Sequence, residues 1–135
     1  MPFEADYFDL IIHPVSNVYV QNVQTIWWEA FRILKPDGEI LSGLDNGINY
    51  IVDNSETKIV NRLSFNPLKN ADQMKQMLDE NGGIQFSHSI EEQIGGQLKA
   101  GLILKDIYSD TNGVGNLHSL NIPSFWATRS QKSIK

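Results

Sequence analysis

Residues 8–44 carry two apolar runs of strand length, separated by a stretch of helical period, and this order leaves few folds open. The run Phe8 to His13 (FDLIIH) ends before Pro14 and reads as a strand buried on both faces. From Gln21 to Lys35 the period changes: Val23, Ile26, Trp27, Ala30, Phe31 and Leu34 recur on one helical face. Pro36-Asp37-Gly38 stops that helix, with Gly38 expected to take the sharp turn. Glu39 to Leu44 reads as the next strand. Strand, helix and strand within about forty residues make a βαβ unit, whose strands are parallel and whose crossover is right-handed. The fold class is therefore α/β.

Later segments are read less sharply. In NYIVDNSETKIVNRLSF the alternation around Asp53-Asn54 suggests a hairpin. Ala71 to Glu80 fits a short helix closed by Gly82-Gly83. Ser89 and Glu92 have the spacing of a capping box, and Ile90, Ile94, Leu98 and Leu102 form an apolar stripe behind it. Gly95 and Gly96 each weaken that helix by about 1 kcal/mol relative to Ala, so close packing or a bend is expected there. Leu102 to Tyr108 reads as a strand, SDTNGVGNLHSLN as a loop, Ile122 to Thr128 as the last strand, and RSQKSIK as a frayed tail.

The chain has 135 residues, enough for one domain, and no repeat or low-complexity segment. Its net charge is -5 with no basic run, which argues against nucleic acid and against an anionic membrane surface. With no cysteine, disulfides, thiolate metal sites and Cys nucleophiles are excluded. His88 and His118 have no partner at ligand spacing, so no metal site is expected. No stretch has the length of a membrane span, and a cytoplasmic location is the expectation.

The segment MPFEADYFDLII, followed by AFRILKPDGEIL, resembles the middle of a class I S-adenosylmethionine-dependent methyltransferase. Met1 stands where that family often has Leu before Pro-Phe. Phe8-Asp9-Leu10-Ile11 resembles the family's fourth strand, and Arg32 to Ile40 its passage from helix to fifth strand. The residues from Ser89 to Gln131 are similar to the family's closing helix and antiparallel strand pair. The resemblance implies a partial Rossmann-like methyltransferase sheet: fourth and fifth strands parallel, the last two an antiparallel pair, helices flanking. Residues 1–135 then form the C-terminal half of a methyltransferase domain, with 45–88 as a substrate cover. The family's glycine-rich loop and ribose-holding acidic residue find no counterpart in the sequence. Gly113-Val114-Gly115 is followed by Leu117-His118 where a third glycine and a helix belong. The expectation is thus a truncated chain, inactive alone, from an enzyme that transfers a methyl group from S-adenosylmethionine to a small molecule. A non-catalytic binding or oligomerising module, and a nucleotide-binding α/β oxidoreductase fragment, stay open as alternatives.

In open α/β sheets ligands lie beyond the carboxyl ends of the strands. Here those ends are His13-Pro14-Val15-Ser16 and Leu44-Asp45-Asn46. By resemblance, His13 and Pro14 line the cofactor near its methyl group. Asn17, Tyr19 and Asn46 are the candidates for substrate contact, and no catalytic residue is assigned. Trp27 belongs to the core stripe, and Trp28, on a different face, is expected to be partly exposed or to pack against a neighbouring element. Asp53, Glu56 and Asp72 read as solvated charges. The family's sheet places its fourth strand beside its first, so Phe8 to Ile12 would present an unpaired edge. A homodimer through that edge, or through an exchanged segment, is expected.

Overall fold

Phe8–His13 forms strand β1, Gln24–Ile33 forms helix α1, and Leu34–Asp45 forms strand β2. β1 and β2 are parallel, with Leu10 opposite Glu39 and His13 opposite Ser42. The structure, a computed structural model, describes residues 2–80 and 83–133. Strands β3 (Leu102–Asp110) and β4 (Phe125–Lys132) are antiparallel. β4 inserts between β2 and β3, giving the order β1-β2-β4-β3.

One face of this sheet is covered. Trp27 is fully buried there with Val23, Ala30, Leu34, Ile40, Leu44 and Leu102. A π-helical turn, Glu91–Gly95, runs into helix α4 (Gly96–Lys99) on the same side. The opposite face is open. Ile12, Leu41, Arg129 and Asp106 stand side by side across the four strands, and Ile12 is 70% exposed. The segment between β2 and the π-helical turn has its own small core of Tyr50, Phe65 and Met77 packed on Val18. It contains helices α2 (Ile48–Ile51) and α3 (Ala71–Asp79).

Several expectations need correction. β1 is not buried on both faces, because it lies at the sheet edge with Leu10 and Ile12 exposed. The sharp turn falls on Asp37, which takes a left-handed φ of 69°, and not on Gly38. Gly38 is required for space, since a Cβ there would lie 2.8 Å from the Lys35 carbonyl oxygen and 3.0 Å from that of Phe8. The hairpin around Asp53 shrinks to one antiparallel bridge, Val52 with Ile59. The loop after β3 contains a short helix, α5 (Gly115–Ser119). Arg129 to Lys132 continue β4 instead of fraying. Gly82, read as half of a helix stop, and Met1 lie outside the described residues.

Of the stripe Ile90, Ile94, Leu98 and Leu102, Ile94 packs on the core and Leu102 is buried there as the first residue of β3, but the stripe as a whole is not the buried face of the helix. Ile90 and Leu98 are exposed, while Gln93, Gly96 and Gln97 are buried. The capping box does form, with the Glu92 N–H donating to Ser89 Oγ at 3.1 Å and the Ser89 N–H to Glu92 Oε1 at 3.1 Å. The π-helical turn that follows shifts the residue spacing, so a 3.6-residue count points at the wrong side. What the helix buries is a polar surface, and that surface faces the site.

Candidate functional site

The carboxyl ends of β1 and β2 lie side by side. Gly43 lets the chain leaving β1 fold over β2, because a Cβ there would stand 2.9 Å from Val15 Cγ2. Asn17–Tyr19 then forms a single 3-10 turn. A buried polar network anchors it. Asn17 Nδ2 donates to Gln93 Oε1 at 2.9 Å, which leaves Asn17 Oδ1 as an acceptor 2.7 Å from His13 Nε2. His13 Nε2 therefore carries a proton and donates it to Asn17. Gln93 Nε2 reaches the Asp45 carbonyl oxygen at 3.4 Å, joining the β1 turn to the end of β2. Gln97 extends the network, donating to the Gln93 carbonyl at 3.0 Å and accepting from Ser130 Oγ at 2.6 Å.

His88 fastens the same turn from below. Its Nε2 lies 2.9 Å from the Asn17 carbonyl oxygen and 2.8 Å from that of Val20, and its Nδ1 lies 2.8 Å from Glu92 Oε2. Every partner is an acceptor, so the ring ties the two carbonyls of the turn to the Glu92 carboxylate. Burial alone would raise the Glu92 carboxyl, but hydrogen bonds from His88 and Ser89 outweigh it and hold the group below its ordinary value.

Above this network is a cavity of about 470 Å³. Its walls are Val15, Val18 and Tyr19 after β1, Asp45, Asn49 and Tyr50 after β2, Gln76, Met77 and Glu80 of the cover, and Phe125 at the start of β4. Asp45 is buried, and its Oδ1 accepts the Gly47 N–H at 2.6 Å. Gly47 has a left-handed φ of 93°, which turns the chain back toward the carboxylate. Burial raises the Asp45 carboxyl above its usual range, and hydrogen bonds from Gly47 and Asn49 together with the His88 charge only partly offset this. The Tyr50 hydroxyl is also pushed up, first by burial and then by the Asp45 charge and Tyr19. It donates to Gln85 Oε1 at 2.8 Å.

Two shallower grooves flank β1. One on the open sheet face, about 390 Å³, includes Ile12, His13, Pro14, Gly43 and Tyr108. The other, along the β1 edge and also about 390 Å³, is lined by Phe3, Phe8, Leu10, Ile11, His13 and Ile26 among others. His13 and Pro14 thus stand beside these grooves, and the described lining of the larger cavity does not include them. Tyr19 does line the cavity. Asn17 is buried with both ends of its amide engaged, so it reaches the site only through His13. Asn46 is turned to the backbone, accepting from the Ile48 N–H and donating to the Pro123 carbonyl oxygen. Asp53 and Glu56 are not merely solvated: Asp53 Oδ1 takes the Thr57 N–H and Glu56 Oε1 the Leu117 N–H. Among the described residues no group of three or more His, Asp or Glu could hold a metal ion, and no helix is long and apolar enough to cross a membrane.

A family model described as a methyltransferase domain matches residues 1–42. The chain is 35% identical over 137 residues to a Bacillus subtilis (strain 168) protein described as an uncharacterized methyltransferase, YbaJ, covering 96% of this chain and 53% of that one. Both matches make the chain similar to methyltransferases. An S-adenosylmethionine-dependent methyltransferase from Mesorhizobium loti superposes with a TM-score of 0.72 at 13% identity, over 98% of this chain and 65% of that one. A methyltransferase of the same description from Methanosarcina mazei gives a TM-score of 0.62 at 13% identity, over 100% of this chain and 64% of its own. At such identities these structures speak for the fold. The chain spans about half the length of the curated relative it matches. The parallel pair β1 and β2 and the antiparallel pair β4 and β3 thus share the fold of these methyltransferase structures.

Asp45, Tyr50, Met77, Gln85 and Gln93 are absent from the candidates read from the sequence. Asp45 carried a usable signal, since it is the last residue of β2 at the carboxyl edge. Gln93 carried none, because its role depends on the π-helical turn.

Proposed function

We propose that this chain supplies the acceptor-binding half of a methyl-transfer site whose methyl acceptor is a small molecule. The cavity at the carboxyl ends of β1 and β2, closed over by residues 46–88, carries the reading. Its size suits a small ligand largely withdrawn from water. S-adenosylmethionine supplies an electrophilic methyl group, and what remains for the protein is to aim the acceptor and exclude water. His13 and Pro14, at the end of β1, form the wall beside that methyl group. Asn17 and Gln93 hold the His13 ring in place, and Tyr19 faces the acceptor.

The residues present suit one end of the cofactor better than the other. The edge groove beside His13 is apolar, and its described lining offers no acidic group to the ribose hydroxyls. The chain alone therefore binds the cofactor too weakly to turn over. The net charge of -5 and the lack of a basic run support an enzyme without nucleic-acid or anionic-membrane partners, and a cysteine-free sequence suits the reducing cytoplasm. Exposed Leu10 and Ile12 on an edge strand support self-association of the chain through β1.

The test is calorimetry with S-adenosylmethionine. No heat is expected from this chain at micromolar cofactor. Binding should return when the chain is joined to the part of the Bacillus subtilis relative that lies outside the matched half. Micromolar binding by the chain alone, or none by the joined protein, would overturn the reading.

A further inference from the structure

We infer that the cavity takes an amine-bearing acceptor and that the Asp45 carboxylate is the counter-charge to its nitrogen; this rests on the methyl-transfer reading above. Asp45 is 7% exposed, lines the cavity, and sits at the strand end where the acceptor's reacting atom belongs. Among the described lining residues there is no Lys, Arg or His to pair with an acceptor carboxylate or phosphate. An anion entering would meet a buried carboxylate without compensation, a costly arrangement in a low-dielectric site. Tyr19, Tyr50 and Phe125 line the same space and suit the apolar body and positive charge of an amine. Among the acidic side chains of the described lining Asp45 is the buried one; Asp53 and Glu56 are half-buried and Glu80 is exposed, so a cation beside them stays in contact with water.

The chemistry separates an amine from an alcohol. The bound ammonium first gives one N–H proton to water; the freed lone pair then forms the new N–C bond, and the C–S bond pair returns to sulfur. The sulfonium becomes a thioether, and its positive charge arrives on nitrogen as a methylated ammonium. A fixed carboxylate beside that nitrogen stabilises the charge as it develops. An alcohol would instead have to lose its proton during attack, and a carboxylate is too weak a base to make that easy. Raised by burial, Asp45 gains most from a cation placed beside it.

The test uses three probes of one shape: benzylammonium, benzyl alcohol and benzoate, titrated at pH 7 into the isotope-labelled chain and followed by amide NMR. Benzylammonium should shift the signals of Tyr19, Asp45, Asn49 and Met77 and bind at least about tenfold more tightly than either other probe. Asp45→Asn should remove that preference and leave benzyl alcohol unchanged, because an amide oxygen can still accept the Gly47 N–H. Equal affinities, binding of none of the probes, or an indifferent Asp45→Asn would overturn the proposal. The wild-type series stands without the variant. None of these outcomes involves the cofactor, so they are separable from the calorimetric test of methyl transfer.

Discussion

Two adjacent glycines give a sharp test of the packing beneath the site. Gly95→Ala and Gly96→Ala should both gain about 1 kcal/mol from helix propensity. Their surroundings differ. A Cβ on Gly95 meets nothing nearer than Glu91 Cβ at 4.0 Å, so its gain is realised. A Cβ on Gly96 would lie 2.6 Å from Trp27 Cδ1 and 3.0 Å from its Nε1. Trp27 cannot yield, because it is fully buried and its indole N–H donates to the Glu92 carbonyl oxygen at 3.0 Å. Overpacking of this kind costs about 1–3 kcal/mol, and displacing the indole N–H adds about 1 kcal/mol more. The net expectation is a stabilisation of up to about 1 kcal/mol for Gly95→Ala and a loss of about 1–3 kcal/mol for Gly96→Ala. Urea unfolding, compared through midpoints at constant slope, reads the difference. Two variants within about 0.5 kcal/mol of each other would refute the contact between α4 and Trp27.

Glu92 is held below its ordinary carboxyl value in the fold, so its stabilising contribution is complete above the unfolded value of about 4.5 and is lost as pH falls through the folded one. Glu92→Gln should flatten the decline of stability below about pH 4.5, measured by urea unfolding at stepped pH; an unchanged acid limb would count against the His88–Glu92 pair. In the joined protein, His13→Ala should lower methyl transfer more than it lowers the unfolding midpoint, and unchanged turnover at saturating substrate would leave His13 as a structural cap. The chain should sediment as a dimer at micromolar concentration, and Ile12→Lys should shift it to monomer. Ile12 is the informative position because it is exposed, whereas Ile11 packs toward the core. A monomeric wild type, or a dimer indifferent to the charge, would remove β1 as the interface.

What could be read in advance followed from local chemistry. The βαβ unit was legible because Val23, Trp27 and Ala30 repeat at helical spacing and Pro36 cannot continue a helix. The capping box at Ser89 was legible for the same reason: both partners lie within one turn. The edge position of β1 followed from the resemblance, but its open face was not legible, because FDLIIH describes a strand without saying what covers it. Nor was the network of Asn17, His88 and Gln93, in which Asn17 lies more than seventy residues from the other two and meets them only through the tertiary fold. His88 gave no metal-ligand pattern, since its partners are mostly backbone carbonyls. The place of Tyr19 in the cavity lining was legible from its position after β1. Asn46 followed the same logic one position too late, and Asp45 occupies the cavity instead.

The central claim is that residues of this chain stand beside the transferable methyl group. The direct measurement is a nuclear Overhauser experiment on the joined protein with S-adenosylmethionine carrying a carbon-13 methyl group. Cross-peaks from that methyl to His13 and Pro14 protons are expected, with a weaker one to Tyr19 at the mouth of the cavity. A bound methyl group with no cross-peak to any residue between His13 and Tyr19 would contradict the account.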